Sequence, residues 1–275
     1  MSLLISTLVT DRASKPSCND ALPTVSVITT VYNGVKYLEQ TIQSVLNQTY
    51  PSLEYIIVDG GSTDGTIEII KKYADRIDKW VSEPDGGISD AFNKGVKLST
   101  GDYINFQGAD DYLLADDVVE KMMKDVNPDV DMLVCGKIER VANTQEKQII
   151  FMTDGRFKKS SLLFRMALPH QALFMNRKYF NKYGLFDLNN KYCMDYEILL
   201  RAYKEFPEVT MKDVFVSAWR DGGIGADRTM KVYQEYFNVK NKHRIAPVII
   251  LKFILYLSVV KYYIKMVLIR LGLYK

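Results

Sequence analysis

The chain has 275 residues, of which 47% are hydrophobic and 25% are charged. This composition is that of a globular protein, and it excludes a disordered, collagen-like or coiled-coil chain. The 36 basic and 33 acidic residues leave a net charge of only +3, which argues against a nucleic-acid-binding role. Three scattered cysteines and two histidines suit neither a zinc cluster nor a disulfide framework, so we expect reduced thiols in a cytosolic setting.

The composition of the chain changes at two points and divides it into three parts. The first residues carry neither a basic start nor a small-residue cleavage site, so we interpret 1–22 as a loose leader rather than a signal peptide. We predict one globular unit over 23–244. The remaining 245–275 form a tail that is very apolar and whose only charges are basic.

Strands and short helices alternate in the first part of the globular unit. In chain order, the pattern predicts a strand over 25–31, a helix over 36–47, a strand over 54–58, a helix ending near 73, a strand over 77–81, a helix over 88–98 and a strand over 103–106. This alternation is typical of an α/β fold with a parallel sheet and helices on both faces.

The pattern after residue 128 is less regular. It predicts strands over 131–138, 148–152, 173–175 and 209–216, helices over 178–183, 195–203 and 227–242, and a flexible loop over 222–225. No internal repeat or low-complexity segment is present in the sequence, so a repeat architecture is excluded.

Four loops follow the predicted parallel strands, at 31–34, 59–65, 84–87 and 107–112. They hold an unusual share of the aspartates and glycines of the chain. In open α/β sheets, ligands bind outside the carboxyl ends of the strands. The position of these loops therefore predicts a ligand site.

The last of these loops contains Asp110 and Asp111 side by side. Adjacent carboxylates are costly unless a cation or water neutralises them. Mg²⁺ takes one or two carboxylates plus phosphate oxygens, so the pair predicts a divalent metal and a nucleotide diphosphate. The alternative is a solvated loop that caps a helix near Ala115.

Two other loops carry single carboxylates. Asp59 ends the second strand, where a carboxylate can accept hydrogen bonds from a base edge or a ribose, or else serve as a loop cap. Asp85 precedes two glycines that would let the backbone approach a ligand closely, although an ordinary turn has the same residues. The sequence lacks Gly-x-Gly-x-x-Gly, a Walker loop and Gly-x-Ser-x-Gly, so metal and side chains would have to hold any phosphates.

Five segments in this order resemble family 2 glycosyltransferases. They are Pro23–Asn33, Val58–Thr66, Glu83–Gly95, Gly101–Ile104 and Ala109–Asp111. The resemblance is strong over about 23–115 and continues more weakly to about 225. It implies a GT-A fold, which is a Rossmann-like α/β/α sandwich with a mainly parallel sheet. It also implies a nucleotide-sugar half over 23–115 and an acceptor and catalytic half over 116–244.

The resemblance also implies roles for individual residues on the donor side. Thr30 and Tyr32 lie beside the nucleobase, Asp59 hydrogen-bonds the base, Asp85 and Asn93 line the nucleotide and sugar pocket, Asp110 contacts the ribose or sugar, and Asp111 binds the metal. Because the pair is Asp-Asp rather than Asp-x-Asp, either carboxylate remains a candidate for the metal ligand. Arg220 either meets the diphosphate or is a solvated loop charge.

The acceptor side is expected in the second half. The resemblance places the catalytic base at the start of a helix, where Asp195 is the first candidate and Glu197 the second. The ordinary alternative makes Asp195 the cap of that helix. The other acceptor-side candidates are His170, Gln171 and Trp219. His170 and Gln171 resemble an acceptor-side segment of the family, and Trp219 begins a segment that resembles a mobile loop closing over the donor.

The family reaction implied is the inverting transfer of a sugar from a nucleotide sugar, with Mg²⁺ or Mn²⁺ as cofactor. A UDP-hexose or UDP-N-acetylhexosamine is the favoured donor, and GDP- and dTDP-sugars stay open. Two other interpretations also stay open. A sugar nucleotidyltransferase would carry a Gly-rich loop after the first strand, which is missing here, and a non-catalytic module would bind a membrane or partner through the tail.

The tail suggests where the acceptor lies. Its longest uncharged runs fall well short of the ~20 residues needed to span a bilayer, so we predict one or two helices in the membrane interface. A buried helix or an oligomer interface is the alternative. With the resemblance, the tail favours a glycan or lipid-linked acceptor at the cytoplasmic face of the membrane, in cell-surface polysaccharide or O-antigen synthesis.

Overall fold

The computed structural model describes residues 22–141, 156–220 and 228–273. The leader up to residue 21, the predicted strand over 148–152 and the predicted loop over 222–225 lie outside the described residues.

The strands are β1 Val25–Val31, β2 Leu53–Asp59, β3 Lys79–Ser82, β4 Tyr103–Gly108, β5 Tyr112–Leu113, β6 Leu133–Val141, β7 Leu173–Asn176 and β8 Val209–Arg220. The helices are α1 Leu38–Leu46, α2 Thr66–Lys72, α3 Ile88–Leu98, α4 Val118–Met123, α5 Arg177–Tyr183, α6 Met194–Arg201, α7 Thr229–Lys242 and α8 Val248–Arg270. Short 3₁₀ turns lie at Lys159–Leu163, His170–Ala172 and Tyr203–Glu205.

All the described strands belong to one sheet in the order β3-β2-β1-β4-β7-β6-β8-β5. The strands β3, β2, β1 and β4 are parallel, as predicted, because helices connect them. The second half is mixed, since β7 runs antiparallel to both its neighbours and β5 runs antiparallel to β8. The strands β6 and β8 are parallel, so most strand pairs of the described sheet are parallel and the prediction of a mainly parallel sheet is confirmed.

The register of the parallel strands places their ends together. Val31 is opposite Asp59, Asp59 is opposite Ser82, and Thr30 is opposite Gly108. The loops after β1, β2, β3 and β4 therefore leave the sheet at one edge. This is the edge where the sequence predicts a ligand site.

Helices cover both faces of the sheet and bury two apolar layers. One layer packs α1, α2 and α4 against the sheet, and the other packs α3, α5 and α6 against it. The strands β1 and β2 are buried on both faces, which explains why they read as continuous apolar runs rather than alternating ones. The α/β/α sandwich predicted from the sequence is confirmed.

The tail forms the single helix α8, which packs on α7. Leu251 and Ile254 are buried on its inner side. Many of its other apolar side chains are exposed: Val248, Ile249, Ile250, Phe253, Tyr256, Leu257, Tyr263, Ile264, Met266, Val267 and Ile269. Among the described residues, none of the helices has the length and apolar character needed to cross a bilayer.

Candidate active site

The loops after β1, β2 and β3 converge on Gly60. A Cβ atom at residue 60 would lie 2.6 Å from Oδ2 of Asp85 and 3.4 Å from the ring of Tyr32. Because Gly60 has no side chain, the Asp85 carboxylate and the Tyr32 ring can both lie next to its backbone, directly after β2. Tyr32 is 68% exposed, so its ring is free to stack on a planar group. Thr30 is buried near the end of β1, and its contact with a nucleobase stays a prediction.

Asp59 is fully buried and organises the loop that follows β2. Its carboxylate accepts hydrogen bonds from the backbone N–H groups of Gly61 and Ser62 at 3.1 and 3.0 Å. It also accepts from the hydroxyls of Ser62 and of Ser82, the latter at 2.7 Å. Because all these donors belong to the chain, Asp59 shapes the loop in this structure, and its contact with a base stays a prediction.

The two carboxylates of Asp110 and Asp111 fold back over Gly108. A Cβ atom there would lie 3.0 Å from Oδ1 of Asp110 and 2.8 Å from Oδ2 of Asp111. The Asp111 side chain is buried, and burial raises its pKa to about 7, with the charge of Asp110 adding to the rise. Thr41 of α1 fixes this loop by donating to the carbonyls of Ala109 at 3.0 Å and Asp111 at 2.5 Å.

Arg220 holds the same loop from the end of β8. Its backbone N–H donates to Oδ1 of Asp111 at 3.3 Å, and its guanidinium donates to the carbonyl of Asp110. The guanidinium also lies over the rings of Tyr37 and Tyr112, at 4.3 and 5.0 Å from their centroids. Arg220 is therefore not a solvated loop charge. Its contact with a diphosphate stays a prediction.

Gln171 reaches the Asp-Asp loop from the second half of the chain. Its amide nitrogen donates to Oδ2 of Asp111 at 3.1 Å. Its backbone carbonyl accepts from the side chains of Asn105 and Gln107 at 3.1 and 2.8 Å. Gln171, which the sequence placed on the acceptor side, thus orients Asp111.

Asn105 and Gln107 were not predicted from the sequence as part of the site. Both are fully buried on β4; Gln107 donates to Oδ1 of Asn105 at 2.7 Å, and both side chains donate to the carbonyl of Gln171. Ser217 of β8 donates to Oε1 of Gln107 at 2.8 Å and completes the network. Two buried polar residues at alternate positions of an otherwise apolar strand were the available signal, because buried polar side chains need partners.

Asn93 and His170 lie deeper than the open loops. Both amide atoms of Asn93 bond to the backbone of Phe186, at 2.8 and 2.9 Å, so Asn93 fixes the chain before α6. The ring of His170 packs beside Phe92 and stacks on Phe106 with centroids 5.0 Å apart. Burial lowers the pKa of His170 to about 4, so the imidazole is neutral at physiological pH. Contacts of either residue with substrates stay predictions.

Trp219 is half-buried at the end of β8 and packs against the apolar layer of α1 and α4. The guanidinium of Arg140 on β6 lies 5.7 Å from its ring centroid. In this structure Trp219 therefore fixes the edge of the sheet, and its predicted role toward the acceptor is untested.

Asp195 lies in the first turn of α6, and its pKa is shifted in the opposite direction from that of its neighbour Glu197. Burial raises the pKa of Asp195 to about 6, and the charge of Glu235 adds to the rise. One carboxylate oxygen accepts from the backbone N–H of Tyr196 at 2.8 Å. A carboxylate with a raised pKa is a stronger base than an ordinary one.

Glu197 is fully buried and contacts three basic side chains. Its carboxylate lies 2.6 Å from Arg201, 3.1 Å from Lys242 and 2.7 Å from His243. Burial alone would raise its pKa, but the hydrogen bonds from His243 and Arg201 outweigh burial and lower the pKa to about 2. Glu197 thus joins α6 to the end of α7 and is a poor proton acceptor.

Glu235 of α7 is another residue that was not predicted from the sequence. Its carboxylate accepts from the backbone N–H groups of Lys191, Tyr192 and Cys193 at 3.1, 2.7 and 2.9 Å. It thereby fixes the turn that leads into α6 and Asp195. Nothing local in the sequence marks this contact, because the partners are more than forty residues apart.

The structure brings the predicted residues into two groups at one edge of the sheet. Tyr32 and Asp85 form one group, while Asp110 and Asp111 form the other with Gln171 and Arg220. The loop before Asp195 reaches this edge through Ser89 at the start of α3, which donates to the carbonyl of Asn190 at 3.0 Å. Within the described ranges, no hydrogen bond or ion pair joins Asp195 to either group.

The residues present fit a divalent cation held partly by substrate. Two carboxylates converge at Gly108, and carboxylates with phosphate oxygens are the ligands that Mg²⁺ prefers. In the part of the chain that the structure describes, no group of three or more His, Cys, Asp or Glu side chains surrounds a common point.

Comparisons with known proteins agree with this geometry. The model of the family described as "Glycosyl transferase family 2" matches residues 26–184. A glycosyltransferase of Mycobacterium tuberculosis (strain CDC 1551 / Oshkosh) is 30% identical over 230 residues, which cover 82% of this chain and 86% of the relative. The chain therefore belongs to glycosyltransferase family 2, as the sequence motifs predict.

Other relatives and structures support the same family and fold. A PGL/p-HBAD biosynthesis glycosyltransferase of Mycobacterium bovis (strain BCG / Pasteur 1173P2) is 29% identical over 84% of this chain and 90% of the relative. The crystal structure of S. aureus TarS 1-349 in complex with UDP-GlcNAc has a TM-score of 0.63 at 18% identity, covering 84% of this chain and 70% of that one.

A second solved structure shares the fold. The mannosyltransferase PcManGT from Pyrobaculum calidifontis, in complex with GDP-Man and Mn²⁺, has a TM-score of 0.63 at 19% identity over 86% of this chain and 70% of that one. These likenesses show the GT-A fold. The protein is a glycosyltransferase whose structural neighbours bind nucleotide sugars.

Proposed function

We propose that this glycosyltransferase moves a sugar, with inversion, from a UDP-sugar to a hydroxyl of a lipid-linked glycan at the cytoplasmic face of a membrane. The observation that carries the proposal is the presence of two carboxylates, Asp110 and Asp111, at the sheet edge together with a partly buried Asp195 whose pKa is raised. Asp110 and Asp111 would supply a cation-binding centre, and Asp195 would supply a base. A transferase that inverts the anomeric carbon needs both.

The donor half supplies binding and orientation. The Tyr32 ring and the Asp85 carboxylate meet over Gly60, where a planar base can stack and a carboxylate can accept its hydrogen bonds. UDP-GlcNAc in TarS and GDP-Man in PcManGT show that neighbours of this fold accept both kinds of nucleotide sugar. We favour UDP because UDP-sugars are the most frequent donors of the family.

Asp110 and Asp111 would hold Mg²⁺ or Mn²⁺ together with the diphosphate of the donor. When bound, the cation acts as a Lewis acid that stabilises negative charge on the leaving diphosphate. Gln171 and the backbone N–H of Arg220 keep the Asp111 carboxylate in place. The Mn²⁺ reported in the PcManGT complex supports this assignment.

Asp195 acts as the general base. The acceptor oxygen attacks the anomeric carbon, the bond from that carbon to the diphosphate oxygen breaks, and the hydroxyl proton passes to the Asp195 carboxylate. Attack from the side opposite the leaving group converts an α-linked donor into a β-linked product. A pKa near 6 leaves Asp195 ionised at neutral pH and still basic enough to accept the proton.

The exposed apolar side of α8 supports a position on the membrane surface. Ile249 and Phe253 are 71% and 59% exposed, and Lys252 lies between them. A helix of this kind lies in the interface with its apolar side chains among the lipid chains. An enzyme held there meets acceptors that are themselves lipid-linked.

The test measures thermal unfolding with UDP, GDP, dTDP or CDP, each with and without Mn²⁺ or Mg²⁺. A ligand at a hundredfold excess over its Kd stabilises the fold by roughly 2.7 kcal/mol, which is a visible shift of Tm. We expect one nucleotide to raise Tm only when metal is present. Asp111→Asn should remove that metal-dependent shift, and Asp116→Asn, an exposed neighbour, should keep it. A metal-dependent shift that survives Asp111→Asn would exclude Asp111 as a required metal ligand.

A further inference from the structure

A cavity lies between α7, α8 and the residues that follow the 3₁₀ turn Lys159–Leu163. Its volume is about 290 Å³. The lining is mostly aromatic and aliphatic: Phe164, Arg165, Val232, Tyr233, Tyr236, Phe237, Lys240, Leu251, Ile254, Leu255 and Ser258. We call this cavity the α7–α8 groove. Its shape and apolar walls suit a hydrocarbon chain.

One wall of the α7–α8 groove carries a buried ammonium group that has no acidic partner among the described residues. Lys240 is only 5% exposed, and burial lowers its pKa to about 8. Its Nζ lies 5.6 and 5.9 Å from the ring centroids of Tyr236 and Tyr196. Over the described residues, no carboxylate lies within salt-bridge distance of this Nζ. Leaving a buried cation unpaired is costly, and an anionic ligand would remove that cost.

The charge of the groove has one sign. Arg165 is exposed at its rim, and Arg165 and Lys240 are the charged residues among those that line it. The nearest acidic residue on the same helix, Glu235, is occupied by the three backbone N–H groups before α6. The electrostatic complement of the groove is therefore an anion attached to an apolar chain.

The groove adjoins the predicted base. The ring of Tyr236 lines the groove and packs on the ring of Tyr196, with centroids 4.7 Å apart. Burial raises the pKa of Tyr236, and the charge of Asp195 adds to the rise, as expected for side chains that lie close together. The groove and the first turn of α6 therefore share the ring pair Tyr196–Tyr236, which places Tyr236 of the groove near Asp195.

We propose that the α7–α8 groove binds the phosphorylated alkyl chain of the lipid-linked acceptor, with the phosphate at Lys240 and Arg165 and the chain between α7 and α8. This inference rests on the proposed function for the identity of the acceptor. The groove would be the site at which the enzyme selects an acceptor on a lipid phosphate over a free sugar. The exposed side of α8 faces the membrane, and its buried side receives one lipid from it.

The test uses dodecyl phosphate below its micellar concentration as the probe, with titration calorimetry on the full chain. Dodecyl maltoside supplies the same chain with a neutral head, and inorganic phosphate supplies the anion alone. We expect dodecyl phosphate to bind at least tenfold more tightly than dodecyl maltoside. We expect no measurable binding of inorganic phosphate over the same concentrations.

Two variants locate the ligand. Lys240→Met removes the cation and should weaken dodecyl phosphate at least tenfold while leaving dodecyl maltoside within twofold. Ser258→Phe fills the groove without changing its charge and should weaken both probes at least tenfold. Lys252→Met is the matched control, because Lys252 is exposed on α8 and its loss should change neither affinity more than twofold.

The Tm of each variant is measured with and without UDP and Mn²⁺, which separates this inference from the proposed function. If the nucleotide shift is absent in the wild type while dodecyl phosphate binds in the groove, the proposed function is wrong and the lipid site stands. The lipid site is wrong if the wild type binds neither alkyl probe, if inorganic phosphate competes, or if Ser258→Phe binds dodecyl phosphate as the wild type does. A change of oligomeric mass in Ser258→Phe with unchanged lipid affinity would make the groove an interface between copies.

Discussion

The first half and the second half of the sheet position their candidate functional residues by different means. In β1 to β4, Asp59, Asp85 and Asp110 stand at the ends of parallel strands, and the register alone brings them to one edge. In the second half, Asp195 depends on Glu235 of α7, more than forty residues along the chain from the turn that it fixes. The first arrangement is local and readable from the sequence, whereas the second forms only when α7 packs on α6.

The contrast is sharpest within α6, where two carboxylates two residues apart have opposite environments. Asp195 is destabilised as an anion, and Glu197 is stabilised as one. One therefore suits proton transfer and the other suits structure. Four predictions follow, beginning with the largest expected effect. Three of them test the different roles of Asp195 and Glu197, and one tests the exposed side of α8.

Replacing Asp195 by Asn should abolish turnover. A general base contributes typically 10²–10⁴-fold, so we expect a loss on the order of 10³-fold. The Tm should not fall at pH 7, because burial raises the pKa of Asp195 and thus disfavours the charge that Asn removes. Initial rates with the donor identified by the melting assay provide the measurement, with exposed Asp75→Asn as control. A variant that keeps full turnover would reject Asp195 as the base.

Replacing Glu197 by Gln should lower the free energy of unfolding rather than act on the chemical step of turnover. Removing one partner of a buried ionic group costs about 3–5 kcal/mol, because Arg201 and Lys242 lose their counter-charge. The pKa of Glu197 is lowered from 4.5 to about 2, so its contribution is fully present above pH 4.5 and is lost as the pH falls toward 2.

Denaturant unfolding at pH 7 and at pH 3 checks this prediction. The wild type should lose stability between the two values, and Glu197→Gln should lose less over the same interval. Equal pH dependence in the two proteins would contradict the role of Glu197 as a charged centre.

The exposed side of α8 should control membrane binding and not catalysis. Burying one large apolar side chain contributes about 1.5–3 kcal/mol, so Ile249→Asp with Phe253→Asp should reduce binding to anionic vesicles at least tenfold. Val130→Asp is the control, because Val130 is as exposed as Ile249 and lies between α4 and β6. Co-sedimentation provides the measurement, and an unchanged bound fraction would argue for an oligomer interface instead.

The smallest effect concerns the pH dependence of turnover. Protonation of Asp195 should lower kcat/KM as the pH falls through about 6. Because the charge of Glu235 adds to the pKa of Asp195, Glu235→Gln should move this acid limb to lower pH and raise the relative rate at pH 5 roughly twofold. Exposed Glu208→Gln should leave the limb in place. A limb that does not move would show that Glu235 acts through the backbone alone.

The sequence predicts the first half of the fold closely. The strand β1 and the helix α3 have the predicted bounds, because buried β-branched runs and amphipathic spacing are strong local signals. The motifs also locate Asp110 and Asp111 at the end of β4. The antiparallel direction of β7 was not predicted, since it depends on pairing with β4 and β6, which are distant in sequence.

The roles of single residues were harder to predict than their positions. Spacing alone left Asp195 and Glu197 as alternatives, and the basic side chains that distinguish them lie partly at the end of α7. Gln171 was predicted on the acceptor side, and its bond to Asp111 was not predicted. Each of these outcomes depends on contacts between distant parts of the chain, which periodicity and motif spacing do not contain.

The meeting of Asp85 with Gly60 has an evolutionary consequence. Any residue other than glycine at position 60 would place its Cβ 2.6 Å from Oδ2 of Asp85, so that carboxylate would have to turn away. A substitution at position 60 therefore changes the orientation of the side chain at position 85. Among proteins that descend from this chain, we expect a side chain at position 60 to occur together with a shorter side chain at position 85.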